Sequence, residues 1–199
     1  MGDGTAVRLE PHEIALLGGG PRAAVTVALV ELHLRGLVEA DLPGTVRRGV
    51  ADAVAGGPPP SALAEAMHTF LGKPAGLRTL VRAPAIRLAV ALLRIPLAEA
   101  GLLRYPLLGP PRAARRHVRD LRHDHPLPAN RRGLSDHDRL SAVALHGEPA
   151  LRLLVPRFAL RAGPVRRAEV GGKSLLKHAP RGTSGGGGGY LSCGGGGGD

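Results

Sequence analysis

The residues that most invite a chemical reading are Gly18-Gly19-Gly20-Pro21-Arg22-Ala23, which fit the pattern G-x-G-x-x-A. A short apolar run precedes them, an apolar-periodic stretch follows, and Glu39 and Asp41 stand downstream at the distance of a ribose-binding acid. That layout would place a pyrophosphate on a helix N-terminus and a carboxylate on ribose hydroxyls, the chemistry of an FAD or NAD site. It requires a strand at Glu13 to Leu17, yet His12 and Glu13 fall where a buried strand should be apolar, and only Leu37 and Val38 precede the acids. No later alternation of strands and helices supplies a parallel sheet. A dinucleotide-binding protein acting through Gly18–Ala23 is therefore the lesser of the readings, and no cofactor is assigned.

Metal chemistry is suggested by His117, His123, Asp124, His125, Asp136, His137 and Asp138, since imidazole and carboxylate groups from adjacent turns could share an ion. Ser135-Asp136-His137-Asp138 has a simpler explanation, with Ser135 as N-cap and Asp138 at the third helical position. Both acids also suit the positive end of a helix. The expectation is a structural cap and no metal. Gly171-Gly172-Lys173-Ser174 resembles the end of a phosphate-binding loop, but Arg167 occupies the position of the first glycine. No serine lies in a G-x-S-x-G elbow, and Cys193 sits among glycines that cannot hold a thiolate against a base. The expectation is a noncatalytic protein.

Binding chemistry has a denser signal. Arg112, Arg115, Arg116, Arg119 and Arg122 form one stripe along an expected helix from Pro110 to His123, with Ala114, Val118 and Leu121 on the opposite edge. Such a stripe can meet phosphates or carboxylates, and the net charge of +11 adds long-range attraction. Arginine-rich coding also follows from a GC-rich genome, so composition alone does not separate selection from codon bias.

The elements that must position these residues are mostly helical. Pro11 to Leu17 is a short helix and Pro21 to Arg35 a clear one, with Ala24, Val25, Ala28, Leu29 and Leu32 on one face. Leu37–Ala40 and Thr45–Arg48 flank Asp41-Leu42-Pro43-Gly44 as a small hairpin or a plain turn. After the Gly/Pro break at Gly56–Pro60, Ser61 caps a helix to Leu71, and helices follow at Leu77–Val81, Pro84–Leu93 and Leu97–Leu103. Ser135–Leu145 and Pro149–Arg161 form the last pair, with Pro156 expected to kink the second. The glycine-rich 171–199 is expected to stay disordered.

A Gly-x-Pro signature recurs where helical patterns are expected to begin, with copies at Gly19 and Pro21, at Gly72 and Pro74, and at Gly147 and Pro149. Each stretch then closes on a glycine, at Gly36, Gly101 and Gly163. An internal repeat of short helical units explains these glycines without a cofactor. A helix, a Gly-x-Pro turn, a second helix and a hairpin also suggest a winged-helix unit, although Arg22, Thr26, Glu31 and His33 make a poor base-reading surface. Only 2% of residues are aromatic, so Leu, Val, Ala and Ile must fill the core. The single cysteine excludes an intramolecular disulfide. No eighteen-residue uninterrupted apolar run or N-terminal signal is visible, which points to the cytoplasm.

The runs Leu9-Glu10-Pro11-His12-Glu13-Ile14-Ala15-Leu16-Leu17-Gly18-Gly19-Gly20-Pro21 and Ala28-Leu29-Val30-Glu31-Leu32-His33-Leu34-Arg35-Gly36-Leu37-Val38 resemble an uncharacterised actinobacterial family known as domain-containing membrane proteins. Leu134-Ser135-Asp136-His137-Asp138-Arg139-Leu140, Leu151–Phe158 and the glycine-rich end with Cys193 share the resemblance. It implies no activity, cofactor or site residue, and this chain departs from it in its single tail cysteine and in the expected absence of a membrane span.

Together these readings predict a mainly helical basic protein, with an N-terminal unit at 1–55, a helical region at 58–170 carrying two further related units, and the tail at 171–199. The favoured function is a binding or scaffold module for a protein partner, with nonspecific nucleic acid or an anionic surface as alternative contacts. A winged-helix-like DNA-binding protein is the second reading.

Overall fold

A computed structural model describes residues 9–49, 59–103 and 111–164. The glycine-rich tail with Cys193, and the Gly171–Ser174 motif, lie outside them. The described chain is mainly helical, with one small three-stranded antiparallel sheet.

Helix α1 (Pro11–Leu34) joins the two helices expected at Pro11–Leu17 and Pro21–Arg35, across a kink at Gly20. The kink follows from local chemistry. Pro21 has no N–H to continue the helical ladder, and Gly20 takes φ 71°, ψ −165°, a conformation costly to any residue with a Cβ. A Cβ on Gly19 would lie 2.7 Å from the Ala23 Cβ. Gly20→Ala is expected to destabilise the protein by about 1–2 kcal/mol, readable as a lower midpoint in urea. An unchanged midpoint would show that the kink relaxes without cost.

The expected single apolar face of α1 understates its burial. Val27 and Val30 are as enclosed as Val25, Ala28, Leu29 and Leu32, all at 1% exposure or less. A helix enclosed on several sides belongs in an interior, and five other helices pack against α1. It lies most extensively against α6 (Asp136–His146), and also against α2 (Ala62–Phe70), α3 (Leu77–Arg82), α4 (Pro84–Glu99) and α5 (Arg112–Asp124). The expected boundary near Ala55 falls on residues outside the described set, and the elements on either side of it share one core.

The hairpin forms: β1 (Val38–Ala40) pairs antiparallel with β2 (Thr45–Arg48), and β3 (Ala75–Gly76) adds to the far edge of β2. Val38 and Val46 face the core while Glu39 and Arg47 pair across the open face at 3.2 Å. Beyond the sheet, α4 runs unbroken through Pro96, where two helices were expected. The hydrogen bond Pro96 cannot give to the Leu92 carbonyl falls on an exposed side of the helix, where water can replace it. Pro156 does break the last helix, into α7 (Glu148–Leu154) and α8 (Pro156–Arg161) around a non-helical Val155.

The three Gly-x-Pro copies are not equivalent, and the expectation for Pro74 is corrected. Pro21 and Pro149 lie inside α1 and α7, at the kink and in the first turn. Pro74 does not begin a helix. It is exposed and non-helical, it leads directly into β3, and α3 starts only at Leu77. The physical reason is pairing: Ala75 and Gly76 lie opposite Val46 and Thr45, so the edge of β2 draws the residues after Pro74 into extended backbone. Gly36, Gly101 and Gly163 all have positive φ just past α1, α4 and α8.

One helix bears on the expectation of no membrane-spanning segment without deciding it. By length and composition α1 could cross a bilayer, with mean hydropathy 1.3 over an eighteen-residue window, although 56% of that window is buried within the fold. Length and hydropathy do not distinguish a core helix from a span.

Candidate functional site

Helix α5 carries the arginine stripe. Its N-cap is Pro111, and Ala114 and Val118 fix one side of it in the core. At 3.6 residues per turn, Arg112, Arg115, Arg116 and Arg119 point away from that side. All four are exposed, and none of their side chains makes a hydrogen bond or ion pair with another described residue. Arg122 differs from the role expected of it. Its Nε donates to the Leu145 carbonyl near the end of α6, so this arginine ties α5 to α6. A guanidinium at a helix C-terminus meets both an orphan carbonyl and the negative end of the dipole. The stripe is therefore four arginines presented to solvent and one that anchors the helix presenting them.

The other long edge of α5 borders a groove of about 700 Å³ between α5, the 125–134 loop and α6. Leu9, Ile14, Leu121 and Leu145 line it, with His117, Asp124, His137 and Asp138. Several of the histidines and acids grouped in the sequence do come together here. Among the described residues, however, no three His, Cys, Asp or Glu side chains converge as a metal ion requires. Asp138 is committed to the cap of α6: Ser135 N donates to Asp138 Oδ2 at 3.2 Å and Asp138 N to Ser135 Oγ at 3.1 Å. Hydrogen bonds from the Ser135 hydroxyl and backbone hold the Asp138 carboxyl below its ordinary range. Ser135→Ala is expected to cost about 1 kcal/mol and to lower the thermal midpoint. No change would mean the first turn of α6 is held by packing alone.

Sequence reasoning missed a third constellation, because its members are far apart in the chain. Glu31, 3% exposed inside α1, meets His12 from the first turn of the same helix and Ser61 at the N-cap of α2. His12 Nε2 lies 2.9 Å from Glu31 Oε2, and Ser61 Oγ donates to the same oxygen at 2.7 Å. Ser61 N and Arg35 Nη2 donate to Oε1 at 3.0 and 2.9 Å. Burial alone would push the Glu31 carboxyl up. Hydrogen bonds from His12 and from the Ser61 side chain and backbone, with the His12 charge, outweigh it and hold the group below its ordinary 4.5.

A serine, a histidine and an acid in contact suggest a nucleophile, but the connections are wrong for one. A relay needs the acid on one imidazole nitrogen and the hydroxyl on the other. Here Glu31 and Ser61 both meet His12 Nε2, Ser61 gives its proton to Glu31, and its oxygen accepts from Ala64 N at 3.2 Å. The arrangement is an anchor that ties α2 across the kinked α1.

The strand required at Glu13–Leu17 by the dinucleotide reading is a helix. The polar set of the winged-helix reading is also mostly spent internally. Glu31 is in the anchor, His33 stacks on Phe158 with ring centroids 4.0 Å apart, and Thr26 Oγ1 donates back to the Arg22 carbonyl at 2.9 Å. In the hairpin, Arg47 pairs with Glu39 and Asp41, and Arg48 donates to the His68 carbonyl.

Protein-family models, curated proteins and solved structures give no match to the chain. Its functional reading therefore rests on its own geometry.

Proposed function

We propose that this protein is a noncatalytic binding module whose α5 face captures an acidic protein partner. The observation that carries the reading is the division of labour on α5. Arg122 is used to lock the helix down, whereas Arg112, Arg115, Arg116 and Arg119 stand exposed with no ion-pair partner among the described residues. A rigidly presented row of guanidiniums is preorganised for carboxylates, which it can engage in paired hydrogen bonds. The DNA-binding reading has less support, since the helix that would enter a groove is enclosed and the arginines of the hairpin are already engaged.

The test is fluorescence anisotropy of the full chain with two probes, a labelled poly-glutamate peptide and a mixed-sequence DNA duplex, titrated across salt. The expected result is peptide binding that persists near 0.15 M salt, where the screening length is about 8 Å, with duplex binding that heparin removes. Duplex binding that survives heparin, with no peptide binding, would overturn the reading in favour of nucleic acid. Loss of both by moderate salt would reduce the stripe to a solvated face.

A further inference from the structure

Among the described residues, nothing covers the outer side of helix α4. Leu88, Leu92 and Ile95, at i, i+4 and i+7, are 63%, 55% and 52% exposed, and they form one stripe opposite buried Ile86, Val90 and Leu97. Beside the stripe runs a groove of about 580 Å³ between α4 and the second half of α1. Its walls include Pro21, Val25, Val81 and Leu88, and its charged rim is Arg87 and Arg94. Neither arginine has an ion-pair partner among the described residues, and no acid among them lines the groove.

We infer that this groove docks an amphipathic helix of a partner protein, one that carries an apolar stripe and two carboxylates seven residues apart. Three physical points select that occupant. Arg87 and Arg94 lie on one flank, about 10 Å apart along the axis, which is the spacing of acids at i and i+7 on an opposing helix. Apart from those two side chains the lining is apolar. An extended peptide would leave its backbone N–H and C=O groups unpaired there, whereas a helix satisfies its own. A second copy fits poorly. A two-fold antiparallel seam would bring Arg87 and Arg94 of both copies to the same edge, with Glu99 the only acid of α4 to offset four guanidiniums. A bilayer is flat and would not fill a concave groove. The surface is on α4, so this inference stands or falls apart from the reading of α5.

The test is selection of fourteen-residue peptides from a randomised display library on the full chain, with counter-selection on Leu88→Asp, which alters the groove wall. Leu88 is exposed, so that variant should fold, and unchanged circular dichroism checks it. The expected winners are helical, place Leu or Ile on one stripe and Asp or Glu seven apart, and bind Arg87→Glu/Arg94→Glu at least about tenfold more weakly than the parent chain. Winners without paired acids, or that bind the arginine variant equally, would overturn the inference. So would a dimer in sedimentation velocity that Leu88→Asp dissolves, or Leu88-dependent binding to phosphatidylglycerol vesicles, because each would put a different occupant on this groove.

Discussion

Glu31→Ala is expected to cost about 3–5 kcal/mol, the loss typical of breaking a buried ion pair. Small domains hold only about 5–15 kcal/mol in total, so the variant should be largely unfolded at temperatures the parent tolerates. The reason is the number of groups that Glu31 satisfies at once. Its two oxygens take hydrogen bonds from His12, Ser61 Oγ, Ser61 N and Arg35, and removing it leaves those donors facing one another in a nearly dry pocket. Urea denaturation of both proteins measures the loss. A cost under about 1 kcal/mol would mean water replaces the carboxylate and the anchor is dispensable. Glu31→Gln keeps the shape but turns one acceptor into a donor, and it should fall between the two.

The same carboxylate sets a direction with pH. Its folded-state pKa is below its ordinary 4.5, so the unfolded chain binds the proton more readily than the folded one. Its contribution is complete above 4.5 and is lost as pH falls through the lower, folded-state value. Acid titration of the parent should show this loss, and Glu31→Gln should show less of it.

Charge reversal at Arg115 and Arg119 is the second large effect expected, on binding rather than stability. Both side chains are exposed and make no ion pair with a described residue, so Arg115→Glu/Arg119→Glu should leave circular dichroism and the thermal midpoint unchanged. The double variant lowers the net charge from +11 to +7 and puts two carboxylates where the partner's acids would sit. Binding of the poly-glutamate probe should weaken by about tenfold or more. For the duplex, each phosphate no longer neutralised should flatten the salt slope by about 0.9. If peptide binding is unchanged, the acidic partner does not use α5. Arg122→Ala offers a contrast, since Arg122 holds the helix and its removal should lower stability.

Local chemistry was enough to read much of this fold. Ser61 and Ser135 cap the helices they precede, a break falls between the helical stretches at Leu17 and Pro21, Pro156 interrupts the last helix, and the arginine spacing puts a stripe on one side of α5. Caps, turns and helix faces depend on residues within a few positions of one another, and the sequence carries them directly.

Tertiary structure alone decided the rest. Periodicity showed one apolar face of α1, but which further sides were covered depended on helices packed there from residues 62–146. Pro74 has the same local setting as Pro21 and Pro149, yet the edge of β2 turns the residues after it into a strand. The anchor joins His12, Glu31 and Ser61 across gaps of 19 and 30 positions, and nothing local marks Glu31 as buried rather than solvated. Arg122 looked like its four neighbours until α6 placed the Leu145 carbonyl beside it. The groove on α4 exists because Pro21 and Val25 of α1 come to lie beside Arg87 and Arg94. In each case the deciding partner is distant in the chain, and only the folded packing brings it within reach of short-range forces.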